Sequence, residues 1–112
     1  MGIYENKGWV TTTTTGTLSA EVDLGSEFPK VAVNLPAAIT SGTVSLHISP
    51  TSGGTFVPLY ALDADATGDF ASATTAAVTA KHVVFEVGAA RYVKVAYGAS
   101  QTAEVAYVKG AY

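Results

Sequence analysis

A chain of 112 residues and 11.4 kDa has the size of one domain, and with 48 % hydrophobic residues it can build a core without cross-links. The absence of cysteine excludes a disulfide framework, a thiolate metal site and a cysteine nucleophile, and a net charge of -3 with a pI near 5.1 argues against nucleic acid as a partner. Charged residues are 13 % of the chain, about half the ~25 % usual in soluble domains, so a surface rich in threonine, serine and alanine can be covered by another protein with little charge to desolvate. No apolar run approaches the ~18 residues of a membrane helix. Met1 to Val10 hold charge and no apolar stretch, so no secretory leader is expected.

Residues 1–10 read as an N-terminal arm and 11–112 as one domain. The arm carries Tyr4 and Trp9 beside Glu5, Asn6 and Lys7. Trp9 either caps an open end of the core or anchors the arm on a neighbouring subunit, as buried aromatics do at interfaces. Beyond the arm the pattern has period two. Strands are predicted over Thr12–Ser19, Ala20–Leu24 and Lys30–Leu35, the last with Val31, Val33 and Leu35 inward and Pro36 ending it. Gly42–Ser49 alternates Val44, Leu46 and Ile48 against Thr43, Ser45, His47 and Ser49. Ser49-Pro50-Thr51-Ser52-Gly53-Gly54 predicts a hairpin tip and Thr55–Tyr60 its return strand. Ala71–Ala80 reads as a loop followed by a strand, with a short helix as the alternative.

Three strands follow. Lys81–Val87 places Val83, Phe85 and Val87 inward, and Arg91–Tyr97 places Val93, Val95 and Tyr97 inward. In Thr102–Val108 either Val105 and Tyr107 or Ala106 and Val108 face the core. Gly25-Ser26, Phe28-Pro29, Gly88-Ala89-Ala90 and Gly98-Ala99-Ser100 read as the turns between strands. The predicted fold is all-β: a two-sheet antiparallel β-sandwich, jelly-roll-like, of about eight strands. Its core should hold Val31, Val33, Val44, Leu46, Ile48, Phe85, Val93 and Val95.

Catalytic chemistry finds little support. His47 and His82 are the available bases, both on polar strand faces, and no serine sits in a Gly-x-Ser-x-Gly elbow. No enzyme activity, cofactor or tightly held metal is expected. Asp63, Asp65 and Asp69 space oxygen donors like the opening of a calcium loop, but its twelfth position is Thr74 and not a bidentate glutamate. The stretch reads as a polar hairpin, with a weak shared calcium site as the alternative. A sugar-binding face would use exposed aromatics. Among Phe56, Tyr60, Phe70, Tyr92, Tyr97 and Tyr107, alternation turns Tyr92 outward, and Tyr107 with it in the register that places Ala106 and Val108 inward.

Four segments carry a resemblance. They are Leu24-Gly25 with Val31-Ala32-Val33-Asn34-Leu35-Pro36-Ala37-Ala38-Ile39-Thr40, then Val44–Ser49, then Gly53-Gly54-Thr55-Phe56-Val57-Pro58-Leu59-Tyr60, then Ala90-Arg91-Tyr92-Val93-Lys94-Val95. Together they resemble a group of small tailed-bacteriophage virion proteins, the capsid decoration or cement proteins, over Ser19 to Val108. The resemblance implies a β-sandwich that sits on the outer capsid surface, commonly as a homotrimer, with the major capsid protein as partner and no membrane or nucleic acid contact. No single residue's role carries over from the resemblance; Tyr4 and Trp9, as the aromatics of the arm, are the candidate capsid or subunit contacts. Arg91-Tyr92-Val93-Lys94-Val95 also resembles a late strand of galactose-binding-like jelly rolls, which implies a carbohydrate-binding module directed at cell-surface glycans as the alternative.

Overall fold

The computed structural model describes residues 8–39, 43–62, 70–72, 74–76 and 80–112. Among them the regular elements are all strands, and their pairings are all antiparallel. They are β1 (Val10–Leu18), β2 (Val22–Leu35), β3 (Thr43–Ser49), β4 (Val57–Pro58), β5 (Tyr60–Leu62), β6 (Phe70–Ser72), β7 (Thr74–Ala76) and β8 (Lys81–Ala111). Six of these form one connected sheet: β8 pairs with β1, β2 and β3, while β4 and β7 pair with β3. β5 and β6 form a separate pair. The chain is therefore all-β and antiparallel, as its composition and period-two pattern predict.

The division into strands differs from the expected one. β8 runs through 31 residues that alternation alone divides into three strands, and β2 runs 14 residues through both Gly25 and Pro29. The predicted turn residues bend these strands without ending their pairing. Gly16, Gly25 and Gly88 take positive φ of 104°, 94° and 79°, and Ala103 takes 49°. The register slips beside Gly16 and between Asp23 and Phe28. Bulges of this kind turn a strand sharply while hydrogen bonding resumes on either side.

The bends let β8 flank β2 twice. Val33 lies opposite both Val83 and Val108, and Asn34 opposite both His82 and Tyr107. β1 joins outside the second of these segments, with Val10 opposite Val108 and Thr12 opposite Ala106. Farther along, the middle of β8 pairs with β3, from Val44 opposite Tyr97 to Ser49 opposite Tyr92. The fully buried side chains include the inward ones of these segments, Val31, Val33, Val44, Leu46, Val93 and Val95, joined by Phe28, Leu24, Leu35, Val22 and Gln101. Phe85 is buried with them, and Ile48 packs against them half-covered. In the last segment the inward residues are Ala106 and Val108, while Val105 and Tyr107 are half-buried on the opposite parity.

The Ser49–Gly54 tip is a hairpin joining β3 to β4, with the Ser49 hydroxyl donating to Thr51 O at 2.7 Å and Gly53 at φ 70°. The expected loop at the start of Ala71–Ala80 is strand instead: residues 71 and 72 end β6, paired with β5, and Thr74–Ala76 pairs with β3, while residues 73 and 77–79 lie outside the described residues. At the N-terminus β1 begins at Val10, inside the predicted arm. Tyr4 and the aspartates 63, 65 and 69 lie outside the described residues.

Candidate functional site

The outward face of the β1–β8–β2–β8 layer collects residues that are far apart in sequence. Register aligns Thr11, Tyr107, Asn34 and His82 in one row across four strand segments, and Lys109, Ala32 and Val84 in the next. Trp9 immediately precedes β1. Its ring meets His82 edge-on, with centroids 5.7 Å apart and planes at 72°, while Lys109 Nζ stands 5.8 Å from its centroid. Lys109 and His82 belong to the two segments that flank β2, so the indole lies across β2. Ala32, a small outward residue of β2, is accordingly only 6 % exposed.

Trp9 itself is 46 % exposed. With Asn34 and Tyr107 it lines an open depression of about 370 Å³. The Asn34 amide donates from Nδ2 to His82 Nδ1 at 3.0 Å. An amide nitrogen can only donate, so Nδ1 accepts and the neutral ring carries its proton on Nε2. The patch thus offers an aromatic plane, a phenol, an oriented amide, an imidazole donor and an ammonium group. Such a set suits stacking and hydrogen bonding. Val84, 51 % exposed, extends it with apolar surface.

Of the residues singled out in the sequence, Trp9, His82 and Tyr107 meet here. Asn34 and Lys109 were not foreseen. The outward parity of Asn34 is readable from the alternation of Val31, Val33 and Leu35, whereas Lys109 lies past the predicted strand; the nearness of both depends on β8 pairing with β2 from both sides. His47 lies elsewhere, on β3 opposite Lys94. Burial, and then Lys94, hold its imidazole below the ordinary histidine pKa. Tyr60 is exposed, Tyr92 is half-buried, and Tyr97 is buried, with its phenol pKa raised by burial and then by Glu104. Thr74 pairs with Ser45 in the sheet. Among the described residues no cluster of three or more acidic or histidine side chains could hold a metal.

Parts of three segments of the resemblance, at Gly25, at Gly53 and Phe56, and at Arg91 to Lys94, meet at a second place. Arg91 bonds Asp23 through Nε–Oδ1 at 2.9 Å and Nη2–Oδ2 at 3.3 Å, and its guanidinium stands 5.2 Å from the Tyr92 ring centroid. Gly25 N–H donates to the same Asp23 Oδ1 at 2.8 Å. Lys94 Nζ lies 4.7 Å from the Phe56 centroid. Glu21 accepts from the Ser52 hydroxyl at 2.6 Å and from Gly53 N–H at 2.7 Å. These contacts tie the hairpin tip and the bend of β2 to the middle of β8. Beside them Ser26, Glu27, Pro50, Arg91 and Tyr92 line a more polar depression of about 390 Å³.

The Gly53 amide, followed by the Ser52 hydroxyl, holds the Glu21 carboxyl below the usual carboxylate range. A folded-state pKa below the unfolded one means that the unfolded chain binds the proton more readily. The tether is therefore complete above the unfolded carboxylate pKa and is lost as pH falls through the lower folded value. Amide exchange at Gly53 should accelerate relative to its intrinsic rate as the solution is acidified through that window. Glu21→Gln should flatten this dependence, and an unchanged profile in the variant would assign it to another group.

Comparisons of the chain with known protein families, with curated proteins and with solved structures return no match.

Proposed function

We propose that the chain is a virion structural protein, a capsid decoration protein that binds the outer surface of the shell and stabilises it. The observation that carries this reading is the position of Trp9. The single tryptophan of a thinly charged chain lies outside the core, half-exposed at the root of the N-terminal arm, beside Val84 and Tyr107. Exposed aromatics anchor interface cores, and the chain as a whole carries few charges that such contact would have to desolvate. Tyr4 and Trp9 contact the major capsid protein in this reading, and copies joined in one oligomer engage the shell together, which makes attachment long-lived. The fold is read as a jelly-roll-like sandwich whose strands pass between two sheets at Gly16, Gly25 and Gly88. Bends at bulges are how strands switch sheets in such folds.

The test is binding of the purified protein to undecorated shells. Trp9→Ala should weaken binding by about 30-fold or more, equivalent to ~2 kcal/mol at an interface anchor, with the circular dichroism spectrum unchanged. Tyr4→Ala should weaken it less. Full-strength decoration by folded Trp9→Ala protein would end the reading.

The depression supports a second reading, a carbohydrate-binding module for cell-surface glycans. Trp9 supplies a stacking plane, and Asn34 and Tyr107 supply polar groups at its edge. Because Trp9 is the sole tryptophan, its fluorescence reports on this site directly. Quenching or a spectral shift on titration with a monosaccharide panel, without shell binding, would favour this reading over the first.

A further inference from the structure

We propose that the free edge of β1 is a self-association surface, which pairs antiparallel with β1 of a second copy of this chain. Among the described residues β1 pairs on one side only, with β8. Its sequence, VTTTTTGTL, holds no charge and no proline. From Val10 to Thr14 its register is regular, and irregularity begins only beside Gly16. Sheet edges ordinarily carry charges, proline or short strands that discourage pairing with another chain. The other edges of this sheet follow that rule. The first segment of β8 carries Lys81 and Glu86. β4 has two residues and ends in Pro58, and β7 has three. β1 is the long, neutral exception.

The unpaired main-chain groups of an edge are matched in geometry by another strand. A second β1 fits for a specific reason. An antiparallel pair centred on Thr12 places Thr11 opposite Thr13 of the other copy, on the outward face where both are exposed. Cross-strand threonine pairs are favourable, and with no charge on β1 no like charges meet. The contact is isologous and closes as a twofold pair, whereas the resemblance to decoration proteins implies three copies. The twofold axis stands perpendicular to the joined sheet. Both Trp9 faces therefore lie on the same side, able to engage one extended surface together. The pairing does not depend on what that surface is.

Sedimentation equilibrium of the full chain at micromolar concentration tests the proposal. The wild type should have twice the chain mass. T11K/T13K should be a folded monomer, because lysines then face each other across the twofold. T11E/T13K should regain the doubled mass, because each glutamate then faces a lysine of the other copy. A wild-type monomer, a threefold mass, or a T11K/T13K protein that stays dimeric would each overturn it. A dimer with no affinity for shells would leave this inference standing and remove the decoration reading.

Discussion

Gly110→Val is expected to destabilise the protein by about 3 kcal/mol or more, at the upper end of overpacking costs. Gly110 lies on β8 opposite Val31, with the Phe28 ring directly over it. A Cβ at this position would stand 2.5 Å from Phe28 Cγ and 2.6 Å from Cε2, and nearer still to Cδ2. Real side chains do not approach so closely, so the ring or the strand must move. The ring has little freedom. It is 1 % exposed, lies 5.1 Å from the Tyr112 ring, and is followed by Pro29 with its fixed φ. For a domain of this size the loss corresponds to a fall in Tm of about 12–24 °C. A double-mutant cycle isolates the cause. Phe28→Ala alone should cost about 3–5 kcal/mol, and Gly110→Val should cost much less in that background. Additive costs would show that the two residues do not collide.

Ser19→Ala should cost about 2 kcal/mol, or roughly 8–16 °C in Tm. Ser19 lies between β1 and β2, where the chain leaves regular pairing, and it is 4 % exposed. Its own N–H donates to Val95 O at 2.9 Å. Its hydroxyl oxygen accepts from Val95 N–H at 2.8 Å and donates to Ala20 O at 2.8 Å. A side chain thus substitutes for a ladder carbonyl. Alanine would leave the buried Val95 N–H without a partner, and an orphaned buried donor costs more than an average hydrogen bond contributes. Thermal unfolding of the variant checks the magnitude, and faster amide exchange at Val95 checks the cause. Ser19→Thr keeps the hydroxyl and should retain most of the stability. Equal losses in both variants would place the effect in packing.

The two variants probe parts of the molecule that differ in how readable they are from sequence. Phe28 precedes a proline in a stretch that looks like a turn, yet it becomes one of the largest buried side chains. The local signal was real, since Gly25 does take a left-handed φ. What it marked was a bend inside a strand. Sequence cannot separate the two outcomes, because the same glycine serves a terminating turn and a bulge. The difference lies in whether a partner strand lies alongside on the far side of the bend. The same limit hid the site. Asn34 and His82 sit 48 positions apart, and nothing near either residue specifies the other.

Sequence by itself determined the class and much of the core. Alternation is a property of neighbouring residues, so Val31 and Val33, Val44 and Leu46, and Val93 and Val95 could be assigned inward before any partner was known. The Ser49–Gly54 hairpin was likewise local, closed by its own serine and glycines. Only the tertiary structure decided the rest. It merged the later strands into one bent β8, chose Ala106 and Val108 over Val105 and Tyr107 as the inward pair, and laid Trp9 across β2 on the outside of the sheet. Each of these depends on contacts between distant segments. Shifting a strand by one residue exchanges its two faces, and the packing of the whole sheet selects between the registers.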